Sequence, residues 1–144
     1  MDPHLKALYA RHGIKPPKRA RAQPEAVLQA SVADYLDRVL DPAQVFWSST
    51  LNGVVVYAGM RARLKRQGLR PGVPDLVFVA LQGASRGHTW WIELKAEAGR
   101  LTKEQAIVME ALRCDPQVRG AVCRSLPQVE DALINFGFDL RFRL

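Results

Sequence analysis

The sequence predicts an α/β fold, a mixed sheet flanked by helices. Three observations predict it. Stretches with apolar residues at helical spacing open and close the main body of the chain. Four apolar runs between them are too short for ordinary helices and carry strand-like residues. Turn and cap residues separate the two kinds of segment, giving the order helix, strand, short helix, strand, strand, helix, strand, helix.

The first helix starts at Pro24, a residue suited to a first helical turn, and carries Leu28, Val32, Leu36, Val39 and Leu40 on one stripe to about residue 40. Asp41-Pro42 ends it. Val45-Phe46-Trp47 leads through Ser48-Ser49-Thr50 as a strand toward an Asn52-Gly53 turn. Residues 58–67 form a short basic helix stopped by Gly68, and Arg70-Pro71-Gly72-Val73-Pro74 is a rigid loop. Asp75 then opens the buried strand Leu76-Val77-Phe78-Val79-Ala80. Gln82 to Gly87 makes a polar hairpin, and Thr89 to Lys95 is the second core strand. Thr102-Lys103-Glu104-Gln105 has capping-box form and starts a helix through Ala106, Ile107, Met109 and Leu112 that ends near Cys114-Asp115-Pro116. Gly120 to Arg124 is a third core strand, and Pro127 to Phe136 a last helix.

With 144 residues, 48% of them hydrophobic, the chain is expected to form one compact domain over residues 24–144. It shows neither the run of apolar residues a membrane span needs nor the apolar core of a signal peptide after Met1-Asp2-Pro3-His4. A soluble intracellular protein is expected. Cys114 and Cys123 are too few for a disulfide framework and stand at no zinc-ligand spacing, so both are expected to be buried, inert thiols. The net charge of +7 favours a polyanionic partner such as nucleic acid or an anionic membrane surface. Much of it lies in residues 1–23, where Lys6, Arg11, Lys15, Lys18, Arg19 and Arg21 face Asp2 alone. With Pro16-Pro17, that segment is expected to be a flexible basic arm that tracks phosphates.

Chemistry centres on Asp75 and Glu93. They lie at the start of one strand and near the end of the next, so a hairpin sets them side by side. Strand side chains alternate, so Glu93 and Lys95 share one face while Ile92 and Leu94 take the other. Two carboxylates suit Mg2+, which takes one or two of them, keeps several waters and reaches to phosphate. Lys95 beside such an ion can orient or deprotonate a water and offset charge growing on phosphate. An acid and a lysine two apart on a strand are also an ordinary surface pair, so the spacing alone decides nothing. Glu25 and Gln29 extend the core-facing stripe of the first helix with polar groups that need a partner, unless Glu25 only complements the helix N-terminus. Gln105 has a capping role available. Arg61, Arg63, Lys65, Arg66 and Arg70 form a basic cluster just before Asp75 and are the candidate phosphate contacts. His4, His12 and His88 are too scattered to suggest a histidine nuclease. Trp47, Trp90 and Trp91 are assigned to the core or the sheet edge.

Taken together, Gly72-Val73-Pro74-Asp75-Leu76, Trp91-Ile92-Glu93-Leu94-Lys95 and Gly99-Arg100-Leu101-Thr102-Lys103-Glu104-Gln105 resemble the PD-(D/E)xK nucleases and, within them, the VRR-NUC family, over residues 24–125. The resemblance implies a restriction-endonuclease-like core and metal-dependent hydrolysis of DNA phosphodiesters. It implies a metal ion, Mg2+ with Mn2+ as an alternative, at Asp75, Glu93, the backbone carbonyl of Leu94 and the first-helix acid Glu25. Lys95 then assists the water and Gln105 supports the lysine; Gln29 matches less closely. The chain is most similar in extent to the small stand-alone members of phages and bacteria. That similarity implies a cytoplasmic homodimer acting on branched DNA such as four-way (Holliday) junctions. A nicking or single-strand or flap nuclease, and a non-catalytic DNA-binding module, remain the alternatives.

Overall fold

The computed structural model describes residues 24–50 and 58–144. The basic arm at 1–23 and the turn at Asn52-Gly53 lie outside the described residues. The elements follow the predicted order: α1 (Pro24–Val39), β1 (Val45–Ser49), α2 (Ala58–Arg66), β2 (Leu76–Ala80), β3 (Thr89–Leu94), α3 (Lys103–Ala111), β4 (Val118–Cys123) and α4 (Leu126–Phe136). The strands form one mixed sheet in the order β1-β2-β3-β4. β1 pairs antiparallel with β2, β2 antiparallel with β3, and β3 parallel with β4. A parallel pair needs a crossover connection, and α3 supplies it. No helix among the described residues is long and apolar enough to cross a membrane.

Alternation along the strands divides the sheet into two faces with different covers. On one face Leu76, Phe78, Ala80, Trp90, Ile92 and Leu94 meet Val32, Tyr35, Leu36 and Val39 of α1 and Val129, Ala132 and Leu133 of α4. These side chains are almost wholly buried, each of the larger ones contributing about 2 kcal/mol by leaving water. The other face carries Val77, Val79, Trp91 and Glu93. There α3 covers β4 closely: a Cβ on Gly120 would stand 2.9 Å from Met109 Cε and 3.3 Å from Leu112 Cβ. Glycine at that position lets the helix lie on the strand.

Local signals set the helix ends. Thr102 and Gln105 form a reciprocal capping box at the start of α3. Ser125 caps α4 with Pro127 in the first turn, and Gly137 ends it in the left-handed conformation at φ 87°. Gly68 follows α2 at φ 104°, consistent with a glycine stop. Two expectations need correction. β4 begins at Val118 rather than Gly120, because pairing with β3 starts at the Thr89↔Val118 register and draws the exposed Arg119 into the strand. Cys114 is exposed, since it lies in the turn after α3, whereas Cys123 is buried in β4 with its thiol pushed up to about 12 by burial.

Candidate active site

The pairing of β2 with β3 brings the two acids together. Leu76 faces Ile92 at the end of the pair, and extending that register by one residue sets Asp75, just before β2, opposite Glu93. Both project from the face that α3 covers. Asp75 is held from two sides. Its Oδ2 accepts the Leu94 N–H at 2.8 Å, and Thr50, just past β1, clamps the Pro74-Asp75 backbone. In that clamp the Thr50 N–H donates to the Asp75 carbonyl at 2.7 Å and Thr50 Oγ1 donates to the Pro74 carbonyl at 2.8 Å. Gly72, at φ 95°, lets the preceding loop lie against the first turn of α3, where a Cβ would stand 3.0 Å from the Glu104 backbone.

Glu93 is completely buried, and its surroundings explain why. Its Oε1 lies 2.8 Å from Lys95 Nζ and also accepts the Gln105 Nε2–H. Gln105 uses its other end for the helix cap, its Oε1 accepting the Thr102 N–H at 2.9 Å. Capping and support of Glu93 are thus carried by one amide, whose two ends fit their partners only one way round. Lys95 Nζ lies 3.8 Å from Glu25 Oε1, and the same oxygen accepts the Ala96 N–H at 3.4 Å. Glu25 itself stands in the first turn of α1 with about half its side chain exposed. Its partner is therefore the end of β3 rather than its own helix N-terminus alone.

Burial dominates the electrostatics. It pushes the Asp75 carboxyl above the usual range, against the opposing Leu94 hydrogen bond and the Lys95 charge. Burial likewise pushes Glu93 up; the Lys95 hydrogen bond opposes this and the neighbouring Asp75 charge adds to it. Burial alone lowers Lys95, but hydrogen bonding to Glu93 and the surrounding carboxylates outweigh it, so the ammonium is held above its ordinary value. An excess of negative charge out of water is the net result.

The donor set fits a hard cation. Glu93 Oε2 is buried without a hydrogen-bond partner, an uncommon state for an anionic oxygen and one that an oxygen-seeking ion relieves. Among the described residues no group of three or more His, Cys, Asp or Glu is placed to hold a metal ion. Asp75 and Glu93 are instead a two-carboxylate set, which matches the demand of Mg2+. Leu94 contributes its N–H to Asp75.

The candidate phosphate contacts behave as two groups. Arg61, Arg63, Lys65 and Arg66 on α2 are exposed, and none makes an ion pair with a described carboxylate. Arg70 is exposed too, but its Nη1 donates to the carbonyls of Lys65 at 3.0 Å and Leu69 at 3.2 Å, closing the end of that helix. Trp90 is buried, while Trp47 and Trp91 are half-buried on the sheet. Thr50 and Arg124 were not among the residues singled out by sequence. Arg124 binds three carbonyls of residues 96–99, partners 25 to 28 positions away, so no local pattern announces it.

A mixed sheet with paired acids at one end and helices on both faces is an α/β nuclease-like core. The model of the VRR-NUC domain family matches residues 25–127, and the chain belongs to that family of nuclease domains. A solved structure titled VRR-NUC domain is similar at 23% identity, covering 79% of this chain and 97% of that one, with a TM-score of 0.49. No curated protein matches the chain.

Proposed function

We propose that this nuclease domain is a divalent-cation-dependent DNA endonuclease that hydrolyses phosphodiesters in branched DNA, four-way junctions among them. The observation that carries the reading is the buried cluster of Asp75, Glu93 and Lys95 with one carboxylate oxygen unpartnered. Asp75 and Glu93 would hold Mg2+, or Mn2+ in its place, with the Leu94 carbonyl as a further oxygen. Glu25, expected from sequence as a ligand, instead lies against Lys95 and the Ala96 N–H and forms no three-acid group with Asp75 and Glu93 among the described residues. Bound there, the ion supplies Lewis-acid polarisation of the phosphate and a more acidic water.

The chain's own residues do the rest. Lys95, fixed by Glu93 on one side and Glu25 on the other, presents its ammonium to the attacking water and to charge developing on phosphate. Gln105 keeps Glu93 in place through its amide. The exposed cations of α2 track the DNA backbone without reading sequence. Two copies related by a twofold axis would offer two identical sites to a branched substrate, which is the reason to propose a homodimer; its proposed place is the cytoplasm of a bacterial or phage-infected cell.

The test incubates purified protein with labelled four-way junction, flap, single-stranded and linear duplex DNA, in Mg2+ or EDTA, beside Asp75→Ala. Metal-dependent symmetric cutting of the junction is expected, falling by about three orders of magnitude in the variant as several kcal/mol of charge stabilisation is lost. Cutting confined to flaps or single strands would replace the substrate but keep the site. Binding without cutting of any DNA would overturn the enzymatic reading.

A further inference from the structure

The turn that leaves β3 is tied down by a residue from the far side of the β3–β4 pair. Lys95 N–H donates to the Cys123 carbonyl at 3.0 Å, and Arg124 follows at once. Its guanidinium Nη1 donates to the carbonyls of Gly99 at 2.6 Å, Ala96 at 2.7 Å and Glu97 at 3.2 Å. Arg124 is itself anchored, its N–H donating to Gln128 Oε1 at 2.7 Å in the first turn of α4. Three convergent carbonyls suit a cation that carries several donors, and no neutral side chain offers both.

The turn held in this way is the seat of Glu25. Ala96 N–H donates to Glu25 Oε1, and a Cβ at Gly99 would stand 3.1 Å from the same oxygen. Glu25 comes from the exposed first turn of α1, so little in its own helix fixes where its carboxylate lies. Across that carboxylate stands Lys95 Nζ.

We propose that Arg124 is a positioning residue of the site: by gathering the carbonyls of residues 96–99 it fixes the Ala96 N–H, and through it the Glu25 carboxylate, against the Lys95 ammonium. The inference rests on the proposed nuclease reading. Arg124 makes its hydrogen bonds to Gln128 and to the carbonyls of Ala96, Glu97 and Gly99, none to Lys95, and acts through Glu25.

The test compares wild type, Arg124→Met, Arg124→Lys, Glu25→Gln and the Arg124→Met/Glu25→Gln double variant in steady-state junction cleavage with Mg2+. Hydrogen exchange of the Gly99 amide, which donates to the Ala96 carbonyl at 2.9 Å, is measured alongside. Arg124→Met is expected to lower kcat about 30-fold with KM within about threefold, the size of a positioning loss of roughly 2 kcal/mol. Arg124→Lys, which restores a cation with several donors, recovers much of the loss. In the Glu25→Gln background the same change costs less than about threefold, because its target is already gone.

Full multiplication of the two losses, or unchanged kcat in folded Arg124→Met, would overturn the proposal. Should Arg124→Met fail to fold, Arg124→Gln takes its place in the cycle with the same expectations. If wild type cuts no DNA, the nuclease reading fails and exchange decides the positioning claim alone. Faster Gly99 exchange in Arg124→Met but not in Arg124→Lys supports it, and equal protection in all three proteins overturns it.

Discussion

Asp75 illustrates how a single side chain sets stability against function. Its folded value is raised, chiefly by burial, above the ordinary aspartate value of 3.8. A carboxyl shifted in that direction contributes its stability below the unfolded value and loses it as pH rises through the folded one. At pH 7.5 in EDTA the ionised group therefore destabilises the fold. Asp75→Asn, whose amide oxygen can still accept the Leu94 N–H, is expected to melt above wild type there, the gap closing as pH falls toward 3.8. Added Mg2+ raises the melting temperature of wild type alone. Equal melting at every pH would show that Asp75 carries no burial penalty. Gln105 allows its two roles to be separated. Gln105→Glu keeps an acceptor for the Thr102 N–H but replaces the donor to Glu93 by a like charge. Cleavage is expected to fall about 10- to 100-fold, as for loss of other groups that support metal ligands. Gln105→Ala should in addition lose about 1 kcal/mol of stability with the cap. Wild-type rates in Gln105→Glu would leave capping as the residue's whole role.

Elements fix how far these side chains can move. The loop carrying Pro74-Asp75 and the helix carrying Gln105 are locked together at Gly72, where positive φ and the 3.0 Å approach to Glu104 both require glycine. Gly83 also has positive φ, 75°, but open space around it. Urea unfolding should separate the two terms. Gly83→Ala is expected to lose about 1 kcal/mol for backbone strain alone, and Gly72→Ala about 2 kcal/mol or more, with cleavage impaired as Asp75 shifts from Gln105. Equal losses would mean that α3 gives way freely and does not position the Asp75 loop. The helices themselves were readable because their signals are local: Pro24, the Gly68 stop and the Thr102 box each act within a turn. The start of β4 was not, since Val118 and Arg119 become strand only by pairing with Thr89 and Trp90.

For the whole molecule, charge distribution governs the encounter with DNA. The exposed cations of α2 are unpaired with any described carboxylate, so each phosphate they neutralise releases counterions. The Arg61→Ala/Lys65→Ala double variant is expected to reduce the slope of log affinity against log salt by about 2, and to do so alike on junction and duplex. An unchanged slope would place the DNA elsewhere on the surface.

The sequence by itself determined the order of elements, the faces of β3 and the candidacy of Asp75, Glu93 and Lys95. Helical spacing, strand alternation and capping are properties of neighbours along the chain, and a hairpin between consecutive strands makes Asp75 and Glu93 adjacent by topology alone. It also marked Glu25 as a polar group in need of a partner and Gln105 as a capping residue. Only the tertiary structure decided which partners they found: Lys95 and the Ala96 N–H for Glu25, Glu93 for the free end of Gln105. The same holds for Thr50 at Pro74 and Arg124 at the turn of residues 96–99, and for Cys114, which the turn after α3 leaves exposed. Contacts between distant segments depend on how strands pair and helices cross, and no local spacing encodes them.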